Sequence, residues 1–143
     1  MTVSISNIAW DPADDDAVAA LLQRAGVDMI DVAPSKYFQD FATAELRAIV
    51  EVRKWWQDRG IRILGMQSLL FGTQGLNVFG DAAIQLRLLE HLRHVFRIAE
   101  SLGADRLVFG SPKNRDRGML AVEQANDVAA TFFHEAGKSA AEH

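Results

Sequence analysis

Apolar and polar positions along the chain alternate between two periods. A helix-like stretch ending in glycine and followed at once by a short apolar run appears as Arg24-Ala25-Gly26-Val27-Asp28-Met29-Ile30-Asp31-Val32. It recurs as Asp58-Arg59-Gly60-Ile61-Arg62-Ile63-Leu64 and as Ser101-Leu102-Gly103-Ala104-Asp105-Arg106-Leu107-Val108-Phe109. Glycine just past a helix adopts the left-handed conformation that stops it, because it has no Cβ to clash. The runs behind each glycine are short and rich in Ile, Val and Leu, as strands buried on both faces are. Val3 to Trp10 reads as a first strand of the same kind.

Between the strands the period is helical. Ala17, Val18, Leu21, Leu22 and Ala25 share one face, and Leu46, Ile49, Val50 and Trp56 form part of another. The third helix is the most regular, with Leu88, Leu92, Val95, Ala99 and Leu102 in register, and the fourth carries Val122, Ala125, Ala129, Phe132, Phe133, Ala136 and Ala140. Asp81 is placed to cap the third helix, and Thr43 with Glu45 to open the second. Strand alternating with helix four times predicts an α/β fold of four consecutive βα units on a parallel sheet with right-handed crossovers. That is equivalent to the N-terminal half of a (β/α)8 barrel, with residues 1–143 as one unit. The fourth helix runs into Ala140-Ala141-Glu142-His143, where the pattern calls for a glycine and a fifth strand. With every helix on one face, the other face of the sheet is expected to be apolar and to need a cover. Truncation or self-association, as a homodimer or higher oligomer, is the expectation that follows.

Composition narrows the function classes. Of 143 residues, 49% are hydrophobic and 24% charged, ordinary for a folded domain. A net charge of -4 gives no electrostatic reason to expect nucleic acid or an anionic membrane as partner. Cysteine is absent, which excludes disulfides, thiolate metal sites and cysteine nucleophiles. Met1-Thr2-Val3-Ser4-Ile5 does not read as a signal peptide, and no apolar run approaches the roughly 20 residues that span a bilayer. A cytoplasmic enzyme or binding protein is expected.

Ligands of parallel α/β folds bind at the C-terminal ends of strands, so the residues there are the candidate site. After the first strand come Asn7, Trp10 and Asp11, and after the second Pro34, Ser35, Lys36 and Tyr37. The third leads into Met66-Gln67-Ser68-Leu69-Leu70-Phe71-Gly72 and the fourth into Gly110-Ser111-Pro112-Lys113-Asn114-Arg115-Asp116-Arg117. In the last segment Ser111, Lys113, Asn114 and Arg115 offer hydroxyl, cationic and amide groups suited to a phosphate, carboxylate or polyol, or else they solvate a loop. Trp10 either stacks on a sugar ring or caps the barrel mouth. Gln67 either binds a substrate hydroxyl or satisfies a buried backbone group. Lys36 either pairs with Asp31 or Asp11 or faces a ligand. Trp55 and Trp56 lie on a helix, where packing is the default. His91 and His94 share a helix face but have no fixed carboxylate partner, and His134 and His143 read as surface residues. No phosphate-binding glycine motif and no nucleophile elbow occurs. Asp11, Asp31 and Asp116 are too few and too scattered for a divalent-metal site.

Ile5-Ser6-Asn7-Ile8-Ala9-Trp10, Ile30 to Phe38, Gly65 to Gly72 and Leu107 to Arg115 together resemble the N-terminal half of sugar phosphate isomerases/epimerases of the xylose isomerase-like TIM barrel superfamily. The resemblance covers essentially the whole chain, and Gly110 to Arg115 is its most specific part. It implies a small sugar, polyol or keto acid as substrate, with Trp10, Lys36, Gln67, Ser111, Lys113, Asn114 and Arg115 helping to hold it. It also implies a divalent metal, held in the full-length family by carboxylates and histidine of later strands. No such ligand is assigned in this chain, which is therefore expected to bind none. The nuclease branch of the superfamily uses histidines at early strand ends, where this chain has Lys36, Gln67 and Lys113. A non-catalytic half-barrel that assembles with itself is the alternative.

Overall fold

The computed structural model describes residues 3–143. Four strands, β1 (Ile5–Ser6), β2 (Met29–Val32), β3 (Arg62–Met66) and β4 (Arg106–Leu107), form one parallel sheet in the order β1-β2-β3-β4. The helices α1 (Asp15–Arg24), α2 (Leu46–Gln57), α3 (Ala82–Leu102) and α4 (Val122–Ala140) alternate with them. The chain is thus an α/β protein of four consecutive βα units. Each new strand joins the same edge as the last, right-handed crossovers then bring α1, α2 and α3 to one face, and α4 packs on α3. None of these helices is long and apolar enough to cross a membrane.

The glycine turns fold as the sequence suggests. Gly26, Gly60 and Gly103 have φ of 67°, 72° and 74°. The carboxylate of Asp81 accepts the Ile84 N–H at 2.9 Å and caps α3. Leu88, Leu92, Val95, Ala99 and Leu102 are all buried, and α3 packs between α2 and α4.

The core lies between sheet and helices. Ile30 and Val32 of β2 and Ile63 and Met66 of β3 are buried there against Ile49, Trp56, Leu92 and Val95. The opposite face of the sheet departs from the expected apolar surface. Ser6 pairs in register with Asp31, Asp31 with Gly65, and Gly65 with Arg106, so these four share that face. Ser4 donates to the Asp31 carboxylate, and the Gln67 amide reaches back to the Ser6 hydroxyl at 2.7 Å. Strands that read as buried on both faces are therefore apolar on one side and mixed on the other, where Met29 is buried beside Asp31. The alternation is hidden because β1 and β4 are only two residues long.

Three local expectations are corrected. The first strand does not run from Val3 to Trp10. After Ser6 the chain turns into a 3-10 segment, Asn7–Ala9, because buried Asn7 accepts the Ala33 N–H at 2.6 Å and the Ser6 hydroxyl accepts from Ile8 N–H. The second helix begins at Leu46 rather than at a Thr43 cap, and no side chain caps it. Arg97 of α3 instead holds the approach, donating to the carbonyls of Ala44 at 3.0 Å and Phe41 at 2.8 Å. On the inward faces of α1 and α2 only Ala19, Leu22, Ile49 and Trp56 are buried, while Leu21, Leu46 and Val50 remain exposed. Helices of 10 and 12 residues bury fewer of their side chains than α3, at 21, does.

Candidate functional site

The C-terminal ends of β3 and β4 enclose a groove of about 480 Å³, walled by residues 67–72 on one side and 108–113 on the other. Gln67 continues β3, its N–H bonded to the Val32 carbonyl at 3.0 Å. Its side chain donates to Ser6 and accepts from the Ser68 hydroxyl at 2.8 Å. Ser68 has a φ of 57°, the one non-glycine in the left-handed region among the described residues. Such backbone strain persists only where its surroundings impose it. Leu69 and Leu70 then plunge into the core, whereas Phe71 stands in solvent.

On the other wall, Ser111 and Lys113 face the groove. Lys113 Nζ donates to the Thr73 carbonyl at 3.3 Å, linking the β4 loop to the β3 loop. Asn114 is buried and fully engaged, which gives it a different task from touching ligand. Its amide donates to the Leu76 carbonyl at 2.7 Å, its side-chain oxygen accepts from Ser111, and its own carbonyl accepts the Val78 N–H at 2.9 Å. Asn77 answers from the other loop by donating to the Asp116 carbonyl at 3.0 Å. The two loops are laced together beneath the groove. Arg115 is exposed beside this lacing and does not line the groove.

Trp10 and Lys36 lie in a separate cluster. Lys36 donates to the Trp10 carbonyl and lies 3.6 Å from the Asp11 carboxylate, so of its two sequence partners it takes Asp11. Trp10 donates to Asp15 at 2.7 Å and sets its ring edge-on to Trp56, centroids 6.2 Å apart. Tyr37 donates to the other Asp15 oxygen at 3.0 Å and accepts from the Trp56 indole at 3.2 Å. Burial pushes the Asp15 carboxyl above its ordinary value, with the Trp10 and Tyr37 hydrogen bonds pulling it back. Burial, reinforced by the Asp15 charge, pushes the Tyr37 phenol far above its ordinary 10.0. This network joins α1, α2 and the loop after β2. The structure therefore brings together Gln67, Ser111 and Lys113, and leaves Trp10 and Lys36 in a packing network elsewhere.

A second groove of about 480 Å³ adjoins the first across Phe71 and Gly72, lined also by Ser35, Arg87, His91 and His94. His91 is held there by a 2.8 Å hydrogen bond between Nε2 and the Leu69 carbonyl, its ring 5.4 Å from Phe41. Among the described residues no three histidine or acidic side chains gather as a metal site would require. The residues present do not fit the divalent metal that the resemblance implies.

No family model matches the chain, and no curated protein matches it.

The sequence places Ser68 and Phe71 within the candidate segment after the third strand but does not single them out from their neighbours. In Leu69-Leu70-Phe71 all three side chains are apolar, and nothing local distinguishes the one that stays outside. The flanking Gly72, at φ 79°, is the one signal of a sharp turn that could have exposed it.

Proposed function

We propose that this chain is the substrate-holding, N-terminal half of a sugar phosphate isomerase/epimerase-like (β/α)8 barrel, and that it binds a small sugar or polyol without turning it over alone. The observation that carries this reading is the groove at the ends of β3 and β4, where Gln67, Ser111 and Lys113 from two separate loops converge. Hydroxyls and an amide suit the alternating donors and acceptors of a sugar or polyol, and one lysine suits the phosphate of a phosphorylated one. The polar sheet face carrying Ser4, Ser6 and Asp31 continues from the groove floor through Gln67. In a barrel these side chains would look inward.

Backbone amide NMR of the 15N-labelled protein tests the reading, with D-glucose 6-phosphate and glycerol 3-phosphate as probes. Shifts confined to residues 67–72 and 108–113, and weakened in Lys113→Ala, are the expected result. Shifts elsewhere, or none at millimolar probe, overturn it. A second reading, a non-catalytic half-barrel that pairs with its own copy, is favoured by β1 and β4 each bonding a neighbour on one side only. It requires a dimer in sedimentation velocity, and a monomer there removes it.

A further inference from the structure

Phe71 is exposed on a turn that is otherwise tightly held, and the combination is informative. The residue is 74% exposed, whereas the preceding Leu69 and Leu70 are 3% and 2% exposed. The turn is fixed from several sides. Phe71 N–H donates to the Ser68 carbonyl at 3.1 Å, and Thr73 bonds the Leu70 carbonyl through both its N–H at 3.2 Å and its hydroxyl at 2.8 Å. His91 holds the Leu69 carbonyl from α3, and Lys113 holds the Thr73 carbonyl from the β4 loop. The turn also accepts left-handed backbone at Ser68 and Gly72, at either end of the apolar run. A mobile loop exposes a phenylalanine by default. A turn braced by two other elements exposes it by construction.

The ring stands on the ridge shared by the two grooves, beside the hydroxyls and lysine of the first. An aromatic face carries negative charge density, and the axial C–H bonds of a sugar ring present the complementary positive surface. Polar groups on one side and a rigid aromatic plane on the other is the arrangement that binds such a ring selectively.

We infer that Phe71 is a specificity-determining residue, a preorganised platform on which the closed ring of a pyranose stacks while Gln67, Ser111 and Lys113 take its polar edge. This rests on the reading of the groove given above. It adds that the ligand is cyclic, since an open-chain polyol has no continuous apolar face to offer.

The test compares wild type with Phe71→Ala and Phe71→Trp by NMR titration. D-glucose 6-phosphate serves as the ring-bearing probe, and glycerol 3-phosphate as one with the same anionic group and no ring. In Phe71→Ala, affinity for D-glucose 6-phosphate is expected to fall about tenfold, while that for glycerol 3-phosphate is unchanged. Phe71→Trp is expected to keep the ring-bearing probe. Equal affinity for D-glucose 6-phosphate in wild type and Phe71→Ala overturns the inference and leaves the groove reading standing. So does a parallel loss of both probes. Absence of groove shifts in wild type overturns both. The side chain is in solvent, so the alanine variant is expected to melt with wild type, and Phe71→Trp reads the same question with the ring retained.

Discussion

Gly103 ends α3 at a φ of 74°, and a Cβ there would stand 3.0 Å from the Arg53 guanidinium carbon. Both facts oppose any side chain. Gly103→Ala is expected to lower stability by about 1–2 kcal/mol, the scale of left-handed strain in an L-residue. Gly137 is the contrasting case, since it lies inside α4 with nothing within 4 Å of its missing Cβ. Gly137→Ala is expected to raise stability by about 0.5–1 kcal/mol, because glycine is a poor helix former. Urea denaturation of both variants reads the opposite signs directly. Residues of this sort are legible in a sequence because their role is settled by the few residues beside them. Asn7 and Asn114 are not legible in that way. Their partners, Ala33 and Leu76, lie 26 and 38 positions away, and only the folded chain shows that both asparagines serve the backbone.

At the scale of elements, legibility follows length. The burial of α3, 21 residues long, follows its apolar spacing, because a helix that crosses the whole molecule shows its face several times over. Strands of two residues repeat nothing, so the two-sided character of the sheet passes unseen. The packing of β2 on β3 makes the point physically. Asp31 and Gly65 are register partners next to an irregularity in the ladder, and a Cβ on Gly65 would lie 2.6 Å from Asp31 Oδ1 and 2.7 Å from the Arg106 carbonyl. The carboxylate occupies the space that a side chain at 65 would need. Gly65→Ala is expected to cost about 1–3 kcal/mol, the range for overfilling a packed site. The backbone carbonyl cannot retreat without disturbing β4, so Asp31→Ala in the same chain is expected to restore only part of the loss. A thermal-melt comparison of the single and double variants measures that part.

For the whole molecule, alternation of strand and helix was enough to give a parallel α/β architecture, because topology follows from element order. The chemistry of its two ends was not, because it depends on which loops meet. Trp10, Lys36, Gln67 and Lys113 read alike as strand-end residues, yet the fold sends two of them to the groove and two to the network around Asp15. That network ties α1 and α2 together through Tyr37, and it gives the molecule a pH dependence. Burial and the Asp15 charge hold the phenol proton in the folded chain well above the 10.0 at which tyrosine ordinarily loses it. A folded-state value raised above the unfolded one makes a contribution that is whole below pH 10.0 and is lost as pH rises toward the folded value. The unfolded chain ionises first and is favoured by doing so. Stability measured by urea denaturation is therefore expected to hold up to about pH 10 and to fall as pH rises above it. In Tyr37→Phe it is expected to start lower, by about 1 kcal/mol for the lost hydrogen bonds, and to fall less steeply. Tyr37 is the chain's one tyrosine, so tyrosinate absorbance reports it alone. Ionisation at an ordinary value in the folded protein, or equal slopes in the two proteins, would show that this network does not hold the proton.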